Sequence, residues 1–208
     1  MFAEDYKAAV DTAAQFDGMM QPLSIALFEG FLQFQAEQNI TGDMIEFGVY
    51  RGKSASVIMG KLNDGEEMFL VDVADYPELD KLSKISTNFK FLKGKSESLL
   101  QEQDFLAQIP DQVRFSHHDA SHSYINVMSE MEAMAGRIAP KGLMVLDDYG
   151  NPSYMQVVAA SFHYLAREDS PVEVLLYSNN KAYLCRKEDF DFYAKFLVED
   201  LLARVQGG

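Results

Sequence analysis

The chain has 208 residues, enough for one domain with a sizeable core and short for two, and its apolar fraction of 48% is that of a globular protein. A net charge of −14 argues against nucleic acid as a partner, because binding a polyanion needs concentrated Lys and Arg, although a small anionic ligand held by backbone groups stays open. No run reaches the ~18–20 apolar residues that span a bilayer, the opening Met1–Asp5 is acidic rather than basic, and the single Cys185 rules out an intrachain disulfide. These features predict a soluble, cytoplasmic protein without a signal peptide and with no membrane partner.

Two helical patterns open the chain. Tyr6, Val10, Ala13, Ala14 and Phe16 recur at approximate helical spacing until Asp17 and Gly18 break the run. After Pro22, residues Leu23, Ile25, Leu27, Phe28, Phe31, Leu32 and Phe34 make a broadly apolar helix. An aromatic stripe of this kind is core or an oligomer surface, with a substrate lid as the alternative. Residues 1–41 are therefore set apart as N-terminal helices, a lid or a homodimer contact, ahead of a domain over 42–208.

Beyond Thr41 and Gly42 strands and helices alternate. Met44–Phe47 reads as a strand and Lys53–Leu62 as a helix; Glu67–Val71 is a second strand ending at Asp72, followed by a helix over Pro77–Ser86. Phe89–Leu92 is a short strand, Ser96–Ala107 a helix, Val113–His118 a fourth strand and Ser123–Ile138 a helix. Leu143–Leu146 is wholly apolar, the kind of strand buried on both faces of a parallel sheet, and a helix over Ser153–Arg167 follows. Val172–Tyr177 and Ala182–Cys185 flank Ser178–Lys181, which reads as a hairpin turn, and a last amphipathic helix covers Phe190–Val205. Five strand–helix units and a hairpin predict an α/β fold: a Rossmann-like sheet of about seven strands, mostly parallel, antiparallel at its C-terminal hairpin, with helices on both faces. Such sheets bind ligands beyond the carboxyl ends of their strands. The residues there are Glu46, Gly48, Asp72, Gly94, Ser96, Asp119, Asp147 and Asp148.

The turn over Met44–Ser56 carries the first functional signal. An apolar strand ends in an acid, passes Gly48 and Gly52, and restarts as a helix whose first N–H groups lack partners. Glycine at these positions lets a ligand approach the backbone and lets strand and helix pack closely. A phosphate-cradling loop is one reading, but that loop needs four residues between its glycines and three stand here. A nucleoside pocket is the other, because Asp72 ends the second strand 24 residues after Gly48, where an acid reaches the two hydroxyls of a ribose. The Gly-x-Gly-x-x-Gly fingerprint for a pyrophosphate is absent, so a ligand with a ribose and no phosphate fits better. S-adenosylmethionine is such a ligand, with its carboxylate at the helix N-terminus and Ser54.

The stretch Glu46–Ser54 resembles the first motif of class I S-adenosylmethionine-dependent methyltransferases, and is particularly similar to that of the metal-dependent O-methyltransferases of the catechol and macrocin types. Gly94–Leu99 resembles the segment after their third strand that borders the adenine, His117–Tyr124 their fourth-strand motif and Gly142–Tyr149 their fifth. The likeness runs from about residue 42 to 165. Where many relatives carry an acid this chain has Lys95, and Ala120 and Ser121 replace a frequent Gly-Asp. The resemblance implies a class I methyltransferase fold, with Glu46, Gly48, Tyr50, Gly52, Ser54, Asp72, Gly94, Ser96 and Asp119 around the cofactor and Tyr50 beside its methionine end.

Asp119, Asp147 and Asp148 end neighbouring strands. Carboxylates converging with no Lys or Arg beside them repel one another, and a hard divalent cation, Mg²⁺ before Ca²⁺, resolves the repulsion. In the resembled family such a metal binds the acceptor hydroxyl and lowers its pKa. His122 stands three residues after Asp119, where catechol-type enzymes carry the base that takes the hydroxyl proton. His117 and His118 read as structural, His163 as helix packing, Tyr149 as either acceptor wall or aromatic packing, and Cys185 as buried and inert. The expected activity is O-methylation of a hydroxyl on a small molecule, a sugar, phenol or natural-product precursor. A non-catalytic, regulatory protein with the same fold and a P-loop-like nucleotide binder remain as alternatives.

Overall fold

Short apolar runs separated by polar turns cannot bury themselves alone, and here they assemble side by side. The computed structural model describes residues 2–201. The strands β1 (Asp43–Phe47), β2 (Met68–Asp72), β3 (Phe89–Lys93), β4 (Val113–His118) and β5 (Ile138–Leu146) are parallel, and β7 (Lys181–Arg186) is antiparallel to both of its neighbours, β5 and β6 (Val172–Ser178). They form one seven-stranded sheet in the order β3-β2-β1-β4-β5-β7-β6, the architecture expected from the sequence. The order reverses between β1 and β4, which opens a crevice at their carboxyl ends.

Both faces are covered, which is why β2 and β4 are buried along their whole length. On one face lie α1 (Phe2–Ala13), α2 (Pro22–Glu37) and α3 (Lys53–Met59), and on the other α7 (Tyr124–Met134) and α8 (Met155–Leu165). The aromatic stripe of α2 is core within the chain. Phe28 meets Phe115 edge-on at 5.1 Å, and Phe34 stacks at 4.0 Å on Phe196, beyond the C-terminal helix α9 (Phe190–Lys195). Those rings are therefore not available as an oligomer surface.

Several helices are shorter than their sequence patterns. The expected helix over Pro77–Ser86 contracts to α4 (Leu79–Leu82), in which only Leu82 is buried, so packing cannot sustain more turns. The helix expected over Ser96–Ala107 splits into α5 (Ser96–Leu99) and α6 (Gln103–Leu106) at an extended Glu102. Leu100 and Phe105, five residues apart, would face different sides of one helix, and the break lets both reach the core. After α7 a single 3₁₀ turn leads to β5, which starts at Ile138 rather than Leu143 because Ile138 pairs with Val113 across a register shift in β4. The helix expected from Ser153 begins as a 3₁₀ turn and becomes α8 at Met155. The last helix passes from α9 into a π-helical turn at Phe196–Leu201, and the expected continuation to Val205 lies outside the described residues. At the hairpin the turn is Asn179 and Asn180, at φ 51° and 66°, so Lys181 belongs to β7 and not to the turn.

At the end of the sheet away from the crevice, Arg114 of β4 is fully buried. Its Nε and Nη2 donate to the two carboxylate oxygens of Glu66 at 2.8 Å, and Nη1 donates to Gln35 Oε1 of α2 at 3.0 Å. This network fastens α2 to the sheet. Among the described residues no helix is long and apolar enough to cross a membrane.

Candidate functional site

The glycine turn leaves β1 with Gly48 at φ +82° and reaches α3 through Gly52 at φ +100°. A Cβ on Gly48 would stand 2.1 Å from the carbonyl oxygen of Asp119, so this glycine makes room for the end of β4. The sequence had assigned that space to ligand approach and to strand–helix packing, and its occupant is the end of a neighbouring strand. Asp72, at the end of β2, braces the same turn. Its Oδ2 accepts the N–H groups of Val49 and Tyr50 at 2.9 and 2.8 Å, and its Oδ1 that of Ala74 at 3.2 Å. A carboxylate offers about four acceptor positions, so with three taken by the turn about one stays open toward the cavity. Two of the N–H groups that a phosphate-binding loop would present, those of Val49 and Tyr50, are thus taken by a carboxylate, which weighs against the P-loop alternative.

A cavity of about 450 Å³ opens in front of the turn, lined by Gly48, Tyr50, Ser54, Asp72, Gly94, Ser96 and Asp119. Tyr50, Met19 and Tyr76 stand on its rim with large exposed apolar surfaces. Glu46 and Gly52 are not among its walls. Gly52 is packed beneath the Leu82 side chain, and Glu46 is fully buried, with Oε1 2.6 Å from His117 Nδ1. The hydroxyl of Ser96 is committed elsewhere, donating to Glu130 Oε1 at 2.5 Å and accepting from Asn126 Nδ2 at 2.6 Å. The other oxygen of Glu130 meets His118 Nδ1 at 2.9 Å, so His118 belongs to this buried network on the far face of the sheet.

The acids after β4 and β5 do not converge as one trio. They form two overlapping groups, His117–Asp119–Asp147 and Asp119–His122–Asp148, each with ligating atoms within 4.8 Å of one another. A cation also stands beside them, contrary to the sequence expectation. Lys181, only 4% exposed, places Nζ 2.5 Å from Asp147 Oδ2 and 3.3 Å from His117 Nε2. The cause is topological: Leu146 pairs with Ala182 across antiparallel β5 and β7, so the residue before Ala182 falls beside the residue after Leu146. His117 and Lys181 both line the cavity, and the sequence reading named neither as functional. The signal for His117 was parity, since it shares a strand face with Asp119 two residues on.

The electrostatics divide the cluster. Burial and the Lys181 charge push the His117 ring well below its usual pKa, so it is neutral. Burial lifts the Glu46 carboxyl well above the usual range, against a hydrogen bond from Ser54. The hydrogen bonds then run in one direction, from Lys181 to His117 Nε2 and from His117 Nδ1–H to Glu46. Asp147 is held low by Lys181 in spite of its burial. Burial pushes Asp119 up to about 7, assisted by the Asp147 charge and opposed by the hydrogen bond from His122. His122 places Nε2 3.0 Å from Asp119 Oδ1 and 3.4 Å from Asp148 Oδ2, and its ring stacks on Tyr154 at 4.6 Å. Burial would lower its pKa, but the hydrogen bond and charge of Asp119, with Asp148 and Asp147 behind it, raise it. Tyr50, His122 and Asp148 all hold left-handed backbone, at φ 47°, 55° and 53°, so three loops of the site are locally strained.

Asp119 and Asp148 both present oxygens near His122 Nε2, hard donors that fit Mg²⁺ or Ca²⁺, while Asp147 is engaged by Lys181. Tyr149 packs against Tyr177 with ring centres 5.9 Å apart. His163 is exposed and bonded to the Tyr124 hydroxyl, where helix packing was expected. Cys185 is buried, and burial pushes its thiol up to about 12.

The fold has counterparts among solved structures. The chain is similar to the O-methyltransferase from Bacillus cereus in complex with SAH, with 13% identity and a TM-score of 0.65 over 88% of this chain and 91% of that one. It is similar to the O-methyltransferase NovP, with 15% identity and a TM-score of 0.62 over 78% of each. It is also similar to the MycE methyltransferase from the mycinamycin biosynthetic pathway in complex with Mg and SAH, with 14% identity and a TM-score of 0.59 over 89% of this chain and 54% of that one. At such identities the likeness is one of fold. No curated protein sequence matches the chain. A family model described as a methyltransferase domain matches residues 45–149, from β1 through the acid pair after β5, and the chain belongs to that methyltransferase family.

Proposed function

We infer that the chain transfers the methyl group of S-adenosylmethionine to a hydroxyl oxygen of a small molecule, with a divalent cation assisting. The observation that carries this reading is the single cavity that joins Asp72 and the glycine turn at one end to Asp119 at the other. Donor and acceptor can meet there in one shielded space, and holding two reactants in line supplies much of the rate enhancement in such a transfer. The SAH in the Bacillus cereus structure and the Mg and SAH in the MycE structure support the same reading.

When bound, the cofactor supplies an electrophilic methyl group, and the cation lowers the pKa of the acceptor hydroxyl. The remaining work falls to the chain. The remaining acceptor position of Asp72 takes a ribose hydroxyl, and Ser54, at the start of α3, faces the cofactor's carboxylate end. Asp119 and Asp148 hold the cation. The Nε2–H of His122 donates to Asp119, which together with the stack on Tyr154 positions the ring, and the neutral ring accepts the hydroxyl proton at Nδ1.

Calorimetric titration with S-adenosylmethionine and with its demethylated product tests the reading, and micromolar binding of both is expected. Absence of binding at millimolar ligand refutes it. On an accepted hydroxyl substrate, His122→Ala is expected to lower kcat by about 10²–10⁴ while cofactor affinity is kept.

A further inference from the structure

We propose that Lys181 is a resident cation of the acidic cluster, seated where a divalent ion would otherwise reach Asp147, and that it weakens metal binding by this chain. The proposal rests on the reading of Asp119 and Asp148 as cation ligands.

Lysine is almost never fully buried unless it is paired. Lys181 is buried to 4% exposure, with its ammonium against Asp147 Oδ2 and His117 Nε2 and its Nζ 5.9 Å from the centre of the Phe28 ring. It is also fixed by its surroundings. Asn180, the preceding residue, donates from Nδ2 to Asp148 Oδ1 at 2.6 Å and accepts the Tyr149 N–H at 2.9 Å. Asn179 donates to Ser24 Oγ of α2, also at 2.6 Å. The hairpin tip is thus fastened to both acids after β5 and to the N-terminal helix. These bonds hold the backbone that carries Lys181, and the ammonium's own partners are Asp147 and His117.

The consequence for a dication follows from charge. Asp119 belongs to both acid groups, and Asp147 only to the one that faces Lys181. An ion drawn toward Asp147 would stand within a few ångströms of an ammonium that water barely reaches, where like-charge repulsion is poorly screened. The ion is left with Asp119 and Asp148 as carboxylates, beside His122, and Asp148 Oδ1 already accepts from Asn180 and Asn151. Two carboxylates, one of them partly engaged, make a weaker seat than three.

The test is Mn²⁺ binding to the full chain, measured by calorimetry and by the electron paramagnetic resonance signal of free Mn²⁺. Lys181→Met keeps the aliphatic stem against Phe28 and removes the charge; it is expected to bind Mn²⁺ at least tenfold more tightly than the unmodified chain. Lys181→Gln provides a second uncharged variant with the same expected gain, and Lys181→Arg, which keeps the charge, is expected to stay at the unmodified affinity. Asp147→Asn in the Lys181→Met background is expected to abolish the gain. Equal or weaker binding by both uncharged variants overturns the role of Lys181 and leaves the cation reading in place. No binding to any of these proteins at millimolar Mn²⁺ overturns the cation reading and the proposal with it.

Discussion

Gly48→Ala isolates the contact that joins the glycine turn to the end of β4. The added Cβ would lie 2.1 Å from the Asp119 carbonyl oxygen, 2.4 Å from its carbon and 2.6 Å from Ala120 Cα. All three are backbone atoms, so no side chain can swing aside. Restoring an ordinary contact requires the ends of β1 and β4 to part by about 1 Å in a close-packed interior. Overpacking of this kind costs about 1–3 kcal/mol. An L-residue at φ +82° adds roughly 1–2 kcal/mol. The sum, about 2–5 kcal/mol, is a large part of a typical domain stability of about 5–15 kcal/mol. Two other glycines separate the terms. Gly65, at φ +86° with nothing within 4 Å, carries the backbone term alone, and Gly136, also with open space and no left-handed backbone, carries neither. Urea denaturation should therefore rank Gly136→Ala near neutral, Gly65→Ala lower and Gly48→Ala lowest. Because the displaced residue is Asp119, turnover should also fall about 100-fold in Gly48→Ala and stay unchanged in Gly65→Ala. A Gly48→Ala protein no less stable than Gly65→Ala would refute the steric argument.

Other predictions concern the supports of the site. Arg114→Met leaves Glu66 buried without its partner and should cost about 3–5 kcal/mol in urea denaturation, with most of the loss regained in the Arg114→Met/Glu66→Met double variant. Although burial opposes it, the Arg114 hydrogen bonds hold Glu66 below its usual 4.5; that stability is present above pH 4.5 and is lost as the pH falls below it, so acid-unfolding curves should lose this component in the double variant. Glu46 has the opposite sign: its folded-state carboxyl keeps a proton that the unfolded chain releases near 4.5, so stability falls as pH rises above that value. Glu46→Gln should flatten this slope between pH 5 and pH 8, and an unchanged slope would show that Glu46 is ionised in the folded chain. Phe34→Ala removes the ring stacked on Phe196 and should cost about 3–5 kcal/mol with no change in oligomeric state by light scattering.

The strands and the residues that end them were legible because each signal is local. An apolar run such as Met68–Asp72 states both its own burial and the position of its terminal acid. The glycine turn was legible as a turn, yet its purpose was not, because the atom that needs the space of Gly48 belongs to Asp119, 71 residues away. The same holds for Arg114, whose carboxylate partner is 48 residues distant and whose amide partner is 79. Helix lengths after β2 and β3 misled for a different reason. Apolar spacing measures what a helix could bury, and in α4 only Leu82 is fully buried, with Leu79 partly buried against the core.

Lys181 shows how a long-range pairing alters chemistry and not only stability. Read in sequence it is the last residue of a polar turn, far from any acid. The hairpin reverses the chain, the antiparallel ladder adds one residue beyond the Leu146–Ala182 pair, and the ammonium arrives at Asp147. Once there it holds the Asp147 carboxyl low and adds to the burial that keeps His117 neutral. Asp119 and His122 then share the other half of the cluster, where one pKa is raised by burial and the other by the acids around it. The family match ends at residue 149, so the motifs it covers contain the acids but not the lysine that partners one of them. Two proteins with the same four motifs could therefore differ in metal affinity through the residue that β7 delivers, and that residue must be read from the sheet.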